Sequence, residues 1–98
     1  MSEAEVPFLE VAEAIRLATD AAQRLVLPPL VASVTASQDE SLIELRVARP
    51  VDGGDNVYSI NIERCYTPRD FQNGVTACFH HLVGLDAKAQ AQPEAPAP

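Results

Sequence analysis

Positive charge is scarce in this sequence of 98 residues. It holds seven Lys and Arg against 14 Asp and Glu, a formal net charge of −7, and only two His could add cationic charge. So few cations cannot form the basic stripe that binding to phosphate groups requires. We therefore expect neither nucleic acid nor an anionic membrane surface as a partner.

Long apolar runs and cysteines are also few. No uninterrupted apolar run approaches the roughly 20 residues that a membrane-spanning helix needs. Two cysteines are too few for the disulfide framework that stabilises small secreted domains. Residues 1–5 lack the basic start and apolar run of a signal peptide. These observations predict a cytoplasmic protein. Arginine accounts for all but one of the seven cations, and alanine and proline are frequent, a composition typical of a GC-rich bacterium or its phage.

The length predicts a single domain, since one hydrophobic core usually serves about 50 to 200 residues. From Ala87 the chain reads AKAQAQPEAPAP, with no apolar residue larger than alanine and with three prolines. Burial in such a segment cannot offset the entropy cost of ordering it. We therefore expect a flexible N-terminus at 1–6, one α+β domain at 7–86 and a disordered tail at 87–98.

The pattern of apolar residues and prolines in 7–26 predicts the first helix. Pro7 suits a first helical turn, and Pro28 with Pro29 ends the pattern. At 100° per residue, most apolar side chains fall on one stripe, which predicts the buried face. That stripe contains Phe8, Val11, Ala12, Ile15, Ala18, Ala22, Leu25 and Val26.

Two leucines of this segment do not fit the stripe. Leu17 falls on the opposite side beside Ala14 and Ala21, and Leu9 also lies outside the stripe. Isolated exposed leucines are common on protein surfaces. Two of them on one helix nevertheless predict a small self-association seam, formed by Leu9 and Leu17, and with it a homodimer.

Three later segments have the period of two that indicates half-buried strands: 30–37, 42–49 and 57–64. Polar residues 38–41 predict a hairpin loop, and the glycine-containing stretch 52–56 predicts a turn. The three strands therefore predict an antiparallel meander. Its inward side would comprise Leu30, Ala32, Val34, Ala36, Ile43, Leu45, Val47, Tyr58, Ile60 and Ile62.

The second helix has the clearest start in the chain. Thr67 is placed as the N-cap, Pro68 at the first helical position, and Asp70 in the acidic position three residues after the cap. Gly84 is placed for a left-handed C-cap. The apolar stripe of this helix comprises Phe71, Val75, Cys78, Phe79 and Leu82.

The element order is thus α-β-β-β-α. A half-buried sheet and two amphipathic helices bury most apolar surface when both helices cover the same face of the sheet. The predicted fold class is therefore α+β, a two-layer sandwich in which two helices cover one face of a three-stranded antiparallel sheet.

Cys65, Cys78, His80 and His81 are the side chains with metal-binding or nucleophilic chemistry. They lack the paired spacing of a zinc site, and neither histidine stands beside a nucleophile motif. Cys78 also fits the core stripe of the second helix. A metal site, a Cys65–Cys78 disulfide and a thiol enzyme remain minor alternatives, and we predict no catalytic residue, metal or cofactor.

The polar side of the sheet is the better candidate for function. It would present hydrogen-bonding and charged side chains on a flat surface, which is either an ordinary solvated face or a docking platform for a protein. We predict a small acidic, non-catalytic binding module, an adaptor, inhibitor or chaperone, whose carboxylates favour a partner with a basic surface. The alternative is a structural subunit that assembles with itself or a larger particle. The predicted partner-binding residues are Glu44, Arg46, Arg49, Asn61 and Glu63.

Overall fold

A computed structural model describes residues 9–64 and 67–91 of the chain. The strands pair antiparallel in the order β1-β2-β3, and both helices pack on the same face of this sheet. The architecture confirms the predicted α+β two-layer sandwich with the order α-β-β-β-α. Its elements are α1 (Val11–Leu25), β1 (Val31–Ala36), β2 (Leu42–Val51), β3 (Gly54–Glu63) and α2 (Pro68–Ala91).

The core lies between the helices and the inner face of the sheet. Ile43, Leu45 and Val47 of β2 are fully buried, and the alternate residues of β1 and β3 pack against them as predicted. α1 contacts β1 and α2, while α2 contacts β2 and β3. The central strand therefore contributes the most deeply buried side chains. From α2 the core receives Phe71, Val75, Phe79 and Leu82.

The two hairpins differ in length. The β1–β2 loop spans the predicted residues 38–41, and its base is closed by the Ser37 N–H, which donates to the Leu42 carbonyl oxygen at 2.8 Å. The β2–β3 turn is shorter than predicted, because Val51 already pairs with Gly54. Gly53 adopts a φ of +85°, a conformation that glycine tolerates without steric cost. The chain therefore reverses direction within two residues.

The buried face of α1 differs from the predicted stripe. Leu17 is only 8% exposed and Ala14 and Ala21 are fully buried, whereas Ala12 of the stripe is exposed. The reason is that α1 contacts a helix as well as the sheet, so it buries a wider sector than one partner would require. Val11, Ile15 and Leu25 of the stripe lie at the margin of this sector and are half-buried.

The start of α2 follows the prediction, but its end does not. The Asp70 N–H donates to the Thr67 hydroxyl at 3.1 Å, which confirms the N-cap. The helix continues through Gly84 and ends at Ala91. Gly84 is therefore an interior helical residue, and the expectation that disorder begins at Ala87 is wrong for the first five residues of that segment.

Several predicted features lie outside the described residues. They are the flexible N-terminus at 1–6, Pro7 with Phe8, and the part of the tail from 92 to 98. Cys65 also lies outside the described residues, and with it the Cys65–Cys78 pairing. The first helix itself begins later than predicted, at Val11, since the two described residues before it are not helical.

Candidate functional site

In residues 9–64 and 67–91, no helix or strand covers the outer face of the sheet. Because directly paired residues of antiparallel strands point to the same side, the strand register defines this surface row by row. We call it the open face. Its three complete rows are Val31–Ala48–Val57, Ser33–Arg46–Ser59 and Thr35–Glu44–Asn61, and the shorter pairs Leu42–Glu63 and Pro50–Asp55 lie at its two ends.

Four of the five predicted partner-binding residues lie on the open face. Glu44 and Arg46 come from its central strand, and Asn61 and Glu63 come from β3. Three of these side chains are exposed and Glu44 is half-buried. The alternation of β2 and β3 is sufficient to bring these residues together, as the sequence predicts.

Arg49 lies elsewhere, which corrects its assignment to the partner-binding set. It follows Ile43, Leu45 and Val47 in the alternation of β2 and so points to the helix side of the sheet. There its Nε donates to both carboxylate oxygens of Asp86 at 3.0 Å, and its Nη2 donates to Oδ2 at 2.8 Å. This side chain is engaged within the fold rather than presented to a partner.

Asp86 is the charged residue that sequence reasoning missed. It occupies the α2 position one turn after Leu82, on the buried stripe, and is 2% exposed. The carboxylate raises the pKa of Arg49, chiefly through their hydrogen bonds. The spacing from Leu82 was the available signal, but the prediction that the helix ends at Gly84 placed Asp86 outside it.

A short polar network lies at the centre of the open face. Arg46 Nη2 donates to Glu44 Oε2 at 3.1 Å, and the Thr35 hydroxyl donates to Glu44 Oε1 at 3.3 Å. The Arg46 side chain is 49% exposed, so solvent screens this ion pair and it adds little stability. Both groups can exchange these contacts for contacts with a partner at low cost.

The open face also has an apolar row, Val31–Ala48–Val57, which the sequence prediction did not identify. Val31 is 58% exposed and Val57 is 51% exposed, although both are β-branched apolar residues. Their alternation parity with Ser33 and Ser59 was the signal that could have placed them on this face. The open face therefore combines an apolar row with adjacent polar and charged rows, as protein interfaces do.

The acidic β1–β2 loop borders one end of the open face. Asp39 Oδ1 accepts hydrogen bonds from the Ser41 N–H and from the hydroxyls of Ser41 and Ser37, at 3.0, 2.8 and 2.9 Å. Hydrogen bonds from Ser41, then that from Ser37, lower the pKa of Asp39 from 3.8 to about 2. Asp39 therefore keeps its negative charge at any physiological pH.

The predicted self-association seam of Leu9 and Leu17 is not a surface of the fold. Leu17 belongs to the core, and Leu9 is half-buried against it. The Leu9 carbonyl oxygen accepts a hydrogen bond from Arg64 Nη1 at 2.7 Å, which holds this segment against the body. The contact of α1 with α2 explains the error, since it buries the side of α1 that was expected to face solvent.

The metal and thiol candidates are dispersed in the described part of the chain. Among residues 9–64 and 67–91, no group of three His, Cys, Asp or Glu is arranged to hold a metal ion. His80 and His81 are exposed on α2, and Cys78 is half-buried. Burial raises the pKa of the Cys78 thiol, which makes it a poor nucleophile.

Two shallow clefts accompany the helices. One of about 210 Å³ lies between α1 and β1, and its lining includes Thr19, Gln23 and Ser33. The other, of about 250 Å³, lies between the helices beside His80, and its other lining residues are Leu25, Val83, Gly84 and Ala87. Neither lining contains a Cys, Ser or Thr together with a histidine.

Comparisons with protein families, with curated proteins and with solved structures find no match to this chain. The search for membrane-spanning segments, made on the described residues alone, finds no helix with the length and apolar character needed to cross a bilayer.

Proposed function

We propose that this protein is a small acidic, non-catalytic binding module that docks another protein on its open face. The observation that carries the proposal is the combination of an apolar row, Val31–Ala48–Val57, whose two valines are exposed, with polar rows in cross-strand register. The apolar row supplies surface to bury, and the neighbouring side chains supply directional contacts. Adaptor, inhibitor and chaperone roles all use such a surface.

Charge defines the kind of partner. The rows and end pairs of the open face contain the carboxylates of Glu44, Asp55 and Glu63 and a single guanidinium, that of Arg46. Because the whole chain also carries a net charge of −7, its field attracts a positively charged surface at long range. The partner is therefore a protein with a basic surface that also presents an apolar side chain.

The size of the open face favours weak and reversible binding. Three strands at about 4.8 Å spacing and about 3.4 Å per residue give a surface of about 400 Å². A standard stable interface buries about 800 Å² on each partner. A single copy of the open face therefore supports a transient contact, unless a partner extends onto neighbouring surface.

Site-specific photo-crosslinking in the source cells tests the proposal. A photoreactive residue replaces Ser59 at the centre of the open face or, as a control, exposed Ala77 on α2. We expect a discrete adduct from position 59 and none of the same mass from position 77. Equal adducts from both positions, or adducts only from position 77, would overturn the proposal.

The partner identified in this way is then purified and its affinity measured against salt concentration. A Glu44→Lys, Glu63→Lys variant should bind about tenfold more weakly at low salt, because both substitutions reverse charge on the docking surface. A matched variant, Asp20→Lys with Glu13→Lys on α1, changes the net charge equally but away from the open face. Equal losses in the two variants would show that net charge alone is responsible.

A further inference from the structure

The two edges of the sheet differ in chemistry. β1 reads VASVTA and contains no charged residue, proline or glycine, whereas β3 at the opposite edge contains Asp55, Glu63 and Gly54. Natural proteins usually place charged residues, prolines, bulges or a covering element at an edge strand, and these prevent it from pairing with another chain. The β1 edge lacks charge and proline, although it belongs to a chain of net charge −7.

The hairpin geometry shows which backbone groups of β1 point outward. The Ser37 N–H bonds to the Leu42 carbonyl oxygen, so this pair is a hydrogen-bonded pair of the ladder. In an antiparallel ladder such pairs alternate with pairs whose N–H and C=O groups point away from the neighbour. The backbone groups of Ala32, Val34 and Ala36 therefore point away from β2, into the β1 edge.

We propose that two copies of this chain form a symmetric dimer by pairing their β1 edges antiparallel, with Val34 opposite Val34 of the second copy. In this register Ala32 pairs with Ala36 across the two-fold axis, so all three outward-pointing residues of each copy are matched. The arrangement forms six backbone hydrogen bonds. On the open face it brings Ser33 opposite Thr35 of the second copy, a cross-strand pair that can hydrogen-bond.

Electrostatics favours a second copy at this edge over the other edge. Two chains of charge −7 repel each other, so they associate where the contact itself adds no repulsion. The β1 strand has no ionisable side chain, whereas pairing two β3 strands would bring four carboxylates together. The adjoining cleft is also uncharged, since it is lined by Thr19, Ala22, Gln23, Val26, Ala32, Ser33 and Val34.

The pairing would join two three-stranded sheets into one six-stranded sheet. The two open faces would then lie side by side and form a surface of about 800 Å², which matches one side of a standard interface. The pairing itself does not rest on the proposed docking function, because it uses backbone groups in the plane of the sheet. The open face remains exposed in the dimer.

The first test is the molar mass of the full chain, measured by light scattering and analytical ultracentrifugation from micromolar to millimolar concentration. We expect a concentration-dependent rise from 10.5 kDa to twice that mass. Val34→Pro removes the central outward N–H and should abolish the dimer, since the proline nitrogen cannot donate. The matched variant Val34→Ala loses side-chain packing but keeps the donor, and it should remain dimeric.

Amide hydrogen exchange provides a measurement that does not depend on the folding of a proline variant. In the wild-type chain, the amides of Ala32, Val34 and Ala36 should exchange at least tenfold more slowly at high than at low protein concentration. A chain that stays monomeric at millimolar concentration would overturn the proposal. So would a dimer that persists in folded Val34→Pro protein, or one in which these three amides exchange at the same rate at every concentration.

Discussion

The two faces of the central strand show how one segment performs two tasks. On the helix side, Ile43, Leu45 and Val47 are fully buried against the two helices. On the other side, Glu44 and Arg46 contact each other and solvent across a screened ion pair. Neighbouring residues of β2 thus point to opposite faces. The inner face stabilises the fold, whereas the open face is exposed to solvent.

The side chains that stabilise this fold are therefore different from those that we propose bind a partner. A small domain has little stability in excess, so its inner face cannot tolerate much change. The open face makes few contacts that the fold needs, so its composition can follow the requirements of a partner. Three sets of stability measurements test this description of the fold.

The largest effect is expected from truncation on the inner face. Leu45→Ala should lower the free energy of unfolding by about 3 kcal/mol, because it removes buried apolar contacts and leaves a cavity. Urea unfolding followed by circular dichroism measures this value. The neighbouring change Arg46→Ala should alter it by less than about 0.5 kcal/mol. Similar losses for the two variants would contradict the division between the faces.

An intermediate effect on stability is expected at the ion pair of Arg49, the charged residue of β2 that points to the inner face. Asp86→Ala should destabilise the fold by about 2 kcal/mol, because it leaves the partly buried guanidinium without its carboxylate. Urea unfolding again provides the measurement. A change too small to measure would mean that solvent replaces the carboxylate fully.

The double variant Arg49→Met with Asp86→Leu is the control for this ion pair. Replacing both partners by apolar side chains leaves no uncompensated charge, so its stability should return to within about 1 kcal/mol of the parent. A double variant as unstable as Asp86→Ala would show that the geometry of the pair, rather than charge compensation, holds α2 against β2.

The smallest effect is expected at two glycines of α2. Gly84 has nothing within 4 Å of an added Cβ, so Gly84→Ala should stabilise the fold by about 0.5–1 kcal/mol through helix propensity. At Gly74 an added Cβ would lie 3.0 Å from Ile62 Cδ1 on the inner face, so Gly74→Ala should gain less. Thermal unfolding of both variants checks this order, and a destabilised Gly84→Ala would mean that the helix does not continue through Gly84.

Much of the fold could be predicted from local patterns. Alternation in 42–49 assigned Ile43 and Leu45 to the core and Glu44 and Arg46 to the open face, because successive side chains of a strand must point to opposite sides. The same rule also places Arg49 inward and Val57 outward. The placement of Arg49 was missed because a charged residue was expected on the outer face, so residue type outweighed position.

Other features could not be derived from local patterns. The burial of Leu17 depends on the contact between α2 and α1. The sequence of one helix does not show how many other elements that helix will contact. The pairing of Asp86 with Arg49 likewise joins residues 37 positions apart in the sequence, which no local pattern connects. The earlier end was predicted from Gly84 as a C-cap, although residues 85–91 consist mostly of good helix formers.

Local sequence patterns specify the period of each element, the polarity of the two sheet faces and the N-cap of α2, and composition specifies the acidic net charge. These properties arise from neighbours along the chain, whose geometry the backbone imposes. The folded chain shows in addition which side of α1 is buried, which carboxylate pairs with Arg49, and which strands lie at the edges of the sheet. Those outcomes depend on contacts between segments far apart in sequence, whose positions are set by the packing of the whole core.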